Sequence, residues 1–448
     1  MINLPSPRGS HWRRRAAGIA IGVLLPIAAI AADAPPVALS LDAVIARAVQ
    51  MAPSQRIAEE SVALARAQQD ASRASLLPQL GVSASQLRQT TNPATLGFEF
   101  PGLPSLIGPY SVFDARIKLS QKLLDFAASA ELDSAQFAAR AAEAQSEASR
   151  EAIASRAALA YIQVLGSEEM LASAQADLGL AHDLLTLSRD QREAGIASGV
   201  DVARAETAVA QDRYAVSEAE TTIAQARLQL QRLAVLPMDQ PLQLSGTLDH
   251  AAGVELDAAH ALQVATRQRP ELAAIDASIR QADAELAAAK RRRLPTLSLV
   301  ADYGLSSNTP GTNDEDTYRY GATIDLPLYA GGAIKAQQDA AQHRLEQQRI
   351  QLEDLRQQIE QDVRLAIATA ATTREQVRAA TAARELAERE LELARDRFSN
   401  GVADNVDVIR AQTSLARARA QAIAAQAAYQ QARVNLAAAQ GQARQFKL

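Results

Sequence analysis

The chain contains one short motif twice, and the motif carries both an acidic and a basic side chain. Residues 194–207 read AGIASGVDVARAET, and residues 400–413 read NGVADNVDVIRAQT. At a constant offset of 206 residues, Asp201 corresponds to Asp407, and an arginine follows each aspartate three residues later, Arg410 in the second copy. A carboxylate and a guanidinium one helical turn apart can attract ions, pair with each other or stabilise a helix end. The duplication indicates that the chain builds the same small structure twice.

No other group of residues has the composition or spacing of a catalytic or metal site. The absence of cysteine excludes disulfides, thiolate metal sites and a cysteine nucleophile. Residues 329–333 read YAGGA, which lacks the lysine of a phosphate loop and predicts a strand-to-helix bend. The acidic residues 314–316 could bind a cation, although a solvated loop tip is the favoured interpretation. The histidines beyond residue 31 show no metal-ligand spacing: His182, His250, His260 and His343. We therefore expect no enzyme activity, metal or cofactor.

Composition favours long helices. Aromatic residues make up only 4% of the 448 residues, whereas Ala, Gln, Arg, Glu and Leu dominate, which is typical of coiled coils. Residues 1–31 hold four arginines and no acidic residue, so their removal changes the formal net charge from −5 to −9. An acidic chain of this kind disfavours a nucleic-acid partner.

The N-terminus has the pattern of a signal peptide. Three arginines, Arg13 to Arg15, precede an apolar run that ends in small residues. We predict a signal peptide over residues 1–31, cleaved after Ala31 or Ala32. The alternative is a transmembrane anchor, but Pro26 interrupts the run. Because no cysteine follows, we expect no N-terminal lipid anchor.

The duplication extends over most of the chain. Residues 53–80 match residues 270–297 at an offset of 217, and residues 120–125 match residues 325–330 at an offset of 205. The change of offset places a length difference between the two blocks, where we expect surface loops. The predicted division is a first structural repeat over residues 32–255, a second over residues 256–441 and a C-terminal tail over residues 442–448.

Each repeat has the same predicted order of elements. A helix ends before a proline, Pro78 or Pro295, and a strand starts there. A strand pair is followed by a very long helix, over residues 127–194 or 332–400, and by a helix that returns. The first long helix carries large and small residues at heptad spacing from Val164 onward, a pattern that brings neighbouring helices close together. The motif that occurs twice is then the tip of a helical hairpin.

The strands alternate between one apolar and one polar face over about ten residues. In the second repeat the apolar face is formed by Leu297, Leu299, Ala301, Tyr303 and Leu305. A soluble, half-buried sheet would show this pattern, and so would a membrane barrel with a wet lumen. Four strands cannot close a barrel, and lipid does not tolerate an open sheet edge. A barrel would therefore require several chains.

The order of helix, strand pair, long helix, tip and return helix, given twice, resembles the outer-membrane efflux and secretion channels of the TolC family. The resemblance covers residues from about Leu39 to Gly441. It implies an α+β membrane protein: a homotrimeric, twelve-stranded β-barrel with four strands per chain, continuous with a long α-helical coiled-coil barrel. It implies a channel in the outer membrane of a Gram-negative bacterium that spans into the periplasm. The implied partners are a periplasmic adaptor protein, an inner-membrane transporter of the RND or ABC type, and outer-membrane lipid.

The resemblance also assigns roles to the tip. Asp407 falls on the acidic position that lines the periplasmic constriction in TolC-like proteins, and Asp201 falls on its first-repeat counterpart. Where the family often has a further acid, an arginine and a tyrosine, this chain has Arg410, Ala403 and Phe398, so the gate contacts of TolC do not carry over. One hypothesis is that Arg410 pairs with an acid of a neighbouring helix and holds the aperture shut.

Other interpretations of the tip remain open. Either aspartate could instead cap a helix N-terminus. The two glycines are expected to end the long helices in a left-handed conformation. The tip residues expected to shape the hairpin ends and dock an adaptor are Gly195, Val200, Val202, Gly401, Val406 and Val408.

Two alternative functions predict different sequences. A structural coiled-coil protein of the envelope predicts heptads without strand pairs or a duplicated tip. A soluble periplasmic adaptor predicts a single hairpin tip together with lipoyl-like or small barrel domains. The leading hypothesis is therefore an export channel, for multidrug or metal efflux or for type I protein secretion.

Overall fold

The computed structural model describes residues 37–96, 102, 104–248, 257–312, 314–400, 402 and 404–448. The predicted signal peptide lies outside these residues, as do Gly401 and Ala403. Eight α-helices lie in the described part of the chain: α1 Leu41–Met51, α2 Pro53–Ala74, α3 Phe126–Glu193, α4 Gly199–Leu233, α5 Ala258–Gln268, α6 Pro270–Arg291, α7 Ala333–Ser399 and α8 Asn405–Ala439. Six strands accompany them: β1 Val37–Leu39, β2 Gln79–Thr91, β3 Ile107–Leu124, β4 Leu242–Leu244, β5 Thr296–Ser307 and β6 Glu315–Asp325.

Two long helical hairpins dominate the fold. Helix α3 has 68 residues and α7 has 67, so each is roughly 100 Å long at 1.5 Å per residue. Each is followed by a 35-residue return helix, α4 or α8. These helices confirm the predicted ones to within a few residues. The heptad positions of α3 are used as expected, because Val164, Ser167, Ala181, Leu185 and Ser188 are buried.

Strands β2, β3, β5 and β6 form one sheet in that order, with every neighbouring pair antiparallel. Strands β2 and β3 come from the first predicted repeat and β5 and β6 from the second. The prolines Pro78 and Pro295 each stand directly before a strand, as predicted. Strand β3 has 18 residues, so the predicted length of about ten was wrong for it. The sheet has two free edges, β2 and β6.

One face of this sheet is apolar and exposed. We call it the outer face; it contains Leu80 and Val82 of β2, Ile117 and Leu119 of β3, Leu297, Leu299, Tyr303 and Leu305 of β5, and Tyr318, Tyr320 and Ile324 of β6. In the single chain Leu80, Val82 and Ile324 are 72%, 79% and 71% exposed. A soluble sheet would bury such a face. This face is therefore left for a nonpolar environment outside the chain.

The opposite, inner face carries a network of charges. The guanidinium of Arg116 contacts Asp114 at 2.7 Å and Asp302 at 2.8 Å, and Arg319 contacts Asp302 at 2.9 Å. These contacts connect β3, β5 and β6. Gly304 allows this arrangement, because a Cβ there would overlap the Ala115 carbonyl and Arg116. Periodicity predicted the polar face but not the network.

A compact core lies where α1, the middle of α3 and the C-terminal tail meet. Strands β1 and β4 pair in parallel beside it, and neither was predicted. The hydroxyl of the buried Tyr161 donates to the carbonyls of Ser245 at 2.6 Å and Leu39 at 3.1 Å. Burial raises the pKa of Tyr161. Phe446 of the tail packs in the same core.

Replacing Tyr161 with phenylalanine should loosen this small sheet. The substitution keeps the packing but removes the donor of the Ser245 carbonyl, while the Leu39 carbonyl keeps the Ser245 amide at 3.1 Å. A buried carbonyl left unpaired costs roughly 1–3 kcal/mol. We expect faster amide hydrogen exchange in residues 37–39 and 242–245, measured by mass spectrometry. Tyr214→Phe is the matched control, because Tyr214 is 72% exposed. Unchanged exchange in Tyr161→Phe would show that the hydroxyl does not hold the strands.

Candidate functional site at the hairpin tips

The first hairpin tip is built by a helix stop. Gly195 has φ = 74°, a left-handed conformation that glycine adopts without strain. The amide of Ile196 donates to the carbonyl of Gln191 at 2.8 Å, and the amide of Gly195 donates to Arg192 at 3.0 Å. This is a Schellman motif. The helix-ending conformation predicted for Gly195 is confirmed.

The second tip repeats the decisive bond. The amide of Val402 donates to the carbonyl of Arg397 at 2.9 Å, which corresponds to the Ile196–Gln191 bond at the offset of 206 residues. Gly401 lies outside the described residues, and its role stays a prediction.

The Asp201 side chain is hydrogen-bonded at the start of α4, the helix that follows the tip. Ser198 is the N-cap of α4, and the Asp201 carboxylate accepts from the Ser198 amide at 3.0 Å and its hydroxyl at 2.6 Å. Together these bonds form a capping box. The Ser198 hydroxyl in particular, with the Ser198 amide and the charge of Arg204 in support, lowers the pKa of Asp201. The helix-end interpretation of Asp201 therefore fits its geometry, although Ser198 is the cap itself.

Asp407 is placed differently. The N-cap of α8 is Asp404, whose carboxylate accepts from the Val406 amide at 3.1 Å. The Asp407 side chain is 45% exposed, and its ion-pair contact is with Arg397 at 4.0 Å. These contacts speak against the alternative interpretation of Asp407 as a helix cap, and its predicted place at the aperture stays a prediction. Its carboxylate remains available to solvent and ions.

The remaining tip residues divide into exposed and buried. Arg410 is exposed, and no ion pair of Arg410 is found within the described part of one chain. Val202 and Val408 are only 6% and 1% exposed, because they pack inside the hairpins. Their burial corrects the expectation that they face an adaptor. Val200 is 58% exposed, so the docking prediction is retained for it.

Polar contacts that the sequence did not predict join the two hairpins. The side-chain amide of Asn405 donates to the backbone carbonyl of Asp201 at 2.7 Å. Farther from the tip, Arg419 of α8 forms an ion pair with Asp177 of α3 at 2.8 Å. Burial raises the pKa of Asp177 and, together with the charge of Asp177, that of Asp212. Leu184 of α3 packs among apolar residues of α7 and α8. The two tips are thus held side by side.

The other candidate sites have structural roles. Gly331 and Gly332 have φ = 59° and 85°, which gives the predicted bend before α7. Asp316 accepts from the Tyr303 hydroxyl at 3.0 Å and so belongs to the sheet. No group of three or more potential metal ligands lies together among the described residues. The helices of the same residues include none that is both long and apolar enough to cross a bilayer.

The capping box predicts a pH-dependent difference between the tips. A depressed pKa means that Asp201 stabilises the start of α4 above its ordinary pKa, and that this stabilisation is lost as pH falls through the folded-state value. Asp201→Asn should therefore increase hydrogen exchange in residues 196–204 at pH 7, by an amount typical of a lost cap, about 1 kcal/mol. At a pH below the lowered, folded-state pKa of Asp201 the variant and parent should converge.

The matched control is Asp407→Asn, since Asp407 occupies the same position without capping. It should leave exchange in residues 402–410 unchanged at both pH values. An equal loss at the two tips would contradict the distinction between the aspartates.

The comparisons with known proteins decide the family. The model of the outer membrane efflux protein family matches residues 44–234 and, separately, residues 261–442. The chain belongs to the outer membrane efflux protein family. The resemblance predicted from the sequence is confirmed. The two matched segments each contain one strand pair and one long hairpin.

Individual members of this family are similar to the chain at low identity. The probable efflux pump outer membrane protein TtgC of Pseudomonas putida is 26% identical over 277 residues, 59% of this chain and 55% of TtgC. The chain thus spans about half the length of the first curated relatives that it matches. The proteases secretion protein PrtF of Dickeya chrysanthemi is 25% identical over 380 residues, 81% of this chain and 80% of PrtF.

The fold has close counterparts among solved structures. The CmeC outer membrane channel of Campylobacter jejuni superposes with a TM-score of 0.77 at 19% identity. The superposition covers 90% of this chain and 86% of CmeC. At this identity the likeness establishes the fold alone.

Proposed function

We propose that three copies of this chain form an export channel in the outer membrane of a Gram-negative bacterium, continued into the periplasm by an α-helical tunnel. The observation that carries the proposal is the sheet with an exposed apolar face, an inner charged face and two free edges. Lipid covers apolar side chains but does not satisfy open backbone edges. The edges are satisfied when β6 of one copy pairs with β2 of the next.

Three copies with four strands each give the twelve strands implied by the family resemblance. The inner face then lines a wet lumen, as in other membrane barrels. The hairpins extend the wall by roughly 100 Å, a length suited to crossing the periplasm rather than the membrane. Six hairpin tips, two from each chain, ring the periplasmic end.

The chain supplies a passage and no energy source. An inner-membrane transporter of the RND or ABC type and a periplasmic adaptor would drive export through it. TtgC is named as an efflux pump protein and PrtF as a protease secretion protein. These names correspond to the two proposed cargo classes, small molecules and proteins. The alternatives fit the structure less well, because a coiled-coil scaffold needs no strand pairs and an adaptor needs only one hairpin.

Recordings in planar lipid bilayers test the proposal. Purified protein should insert and give long-lived conductance steps of uniform size, whereas a heat-denatured sample should give none. Recovery of the protein in the soluble periplasmic fraction, without conductance on reconstitution, would overturn the channel assignment.

A further inference from the structure

The two repeats pair their strands in the same register, so that the residue pairs of β2 and β3 have counterparts in β5 and β6. In the first strand pair Gln79 lies opposite Ser120, and in the second Thr296 lies opposite Asp325. Thr296 of β5 lies 217 residues after Gln79 of β2, and Asp325 of β6 lies 205 residues after Ser120 of β3. The same offsets relate every pair down to Gln89 with Tyr110, which becomes Ser306 with Glu315. Strand β5 is thus the counterpart of β2, and β6 is the counterpart of β3.

The pairing of β3 with β5, which joins the two repeats, has no counterpart within the described sheet. Within the chain β3 pairs with β5, with Phe113 opposite Ser307. The repeat partner of this junction would be β6 against β2, and these two strands are the free edges of the sheet. A second copy of the chain carries the matching edge and can complete it. This step rests on the proposed function, since the second copy is the next subunit of the channel.

We propose that the seam between subunits has the same register as the junction between the repeats. The expected pairs follow when 205 is added to the number of a β3 residue and 217 is subtracted from that of its β5 partner. The pair Phe113–Ser307 then gives Tyr318 of one copy opposite Thr90 of the next. From there the pairing continues in antiparallel order until Leu326 lies opposite Val82. The register is set by the chain's own repeat and needs no assumption about the size of the barrel.

The face pattern agrees with this register. Because side chains alternate along a strand, a shift by one residue would set outer-face residues against inner-face residues. In the proposed register Ile324, on the outer face of β6, lies opposite Ala84, on the outer face of β2. On the inner face Thr323 lies opposite Ser85. Because the two offsets are both odd, this agreement follows from the registers within the chain, so the proposed seam is consistent with the faces of the sheet.

The side chains that meet in this register are complementary. Leu87 is an apolar residue on the inner face of β2, 55% exposed in the single chain. It lies opposite Gly321, beside which an added Cβ would meet no atom within 4 Å. The counterpart inside the chain is Arg116 opposite Gly304, again a large residue against a glycine. On the outer face Leu326 meets Val82, two apolar side chains that are 52% and 79% exposed in the single chain.

Engineered disulfides test the register in the intact protein, which contains no cysteine to interfere. The double variant Thr323→Cys with Ser85→Cys places two thiols directly opposite each other across the seam. The matched controls, Thr323→Cys with Ser83→Cys and Thr323→Cys with Leu87→Cys, shift the register by two residues and keep both thiols on the same face. Opposite Cα atoms lie about 4.5–5.5 Å apart and diagonal ones about 7–8 Å, so a disulfide favours the opposite pair.

Mild oxidation in outer-membrane vesicles should convert the Thr323–Ser85 variant into reductant-sensitive linked trimers on denaturing gels. The shifted variants and the single-cysteine variants should lose this crosslinking. Preferred crosslinking of a shifted pair would overturn the register while leaving the trimeric channel intact. Absence of linked trimers from all three double variants would overturn the proposed seam, and the bilayer recordings show separately whether the channel assignment fails as well.

Discussion

Arginine in place of Val82 is expected to prevent the protein from accumulating as an assembled trimer in the outer membrane. Val82 lies on the outer face, beside Ile117 of the neighbouring strand, and is 79% exposed in the single chain. An arginine facing lipid in a barrel strand costs about 2–4 kcal/mol at the bilayer midplane and less toward the interfaces. Three copies per trimer multiply this penalty. The trimer is measured on denaturing gels of unheated membrane fractions.

Ser85→Arg is the matched control for this experiment. Ser85 belongs to the same strand but to the inner face, where it lies opposite Asp114. An added arginine there meets water and a carboxylate, so the trimer should form in normal amount. If the two variants accumulate equally, the outer face does not contact lipid and the barrel assignment fails.

The second large effect is expected at the tips. Asp407→Ala should weaken the preference of the channel for cations and its block by multivalent cations added from the periplasmic side. Three Asp407 carboxylates, partly exposed and not used in a cap, would gather at one aperture. Charges of one sign that line a narrow opening concentrate counter-ions there by tenfold or more. The measurement is the reversal potential in a salt gradient, together with titration of the block.

Asp201→Ala provides the control, because the Asp201 carboxylate is used by Ser198. It should change selectivity much less than Asp407→Ala, although it weakens the start of α4. Equal effects of the two substitutions, or no effect of either, would contradict the assignment of Asp407 to the aperture.

Much of the fold was predictable because its elements are long and periodic. Gly195 marked the end of a helix, and Pro295 marked the start of a strand. The two offsets found in the sequence later proved to be the offsets of the strand register. These features depend on local backbone preferences and on side-chain alternation, which a single sequence records directly.

The unpredicted features depend on contacts between distant segments. Strands β1 and β4 have three residues each, too few for a period, and they pair across about 200 residues of chain. The hydrogen bond from Asn405 to the carbonyl of Asp201 is accepted by a backbone atom, which every residue has. The residue type at position 201 therefore could not indicate this bond. Val202 and Val408 alternate with exposed tip residues, and only the packed hairpins show that they are buried.

The central claim is that the barrel exists only when three chains assemble. Native mass spectrometry of the protein extracted from outer membranes in mild detergent measures this directly. The account predicts a single species with the mass of three mature chains, and no monomer that retains the strands. A stable monomer or dimer carrying the folded sheet would contradict it.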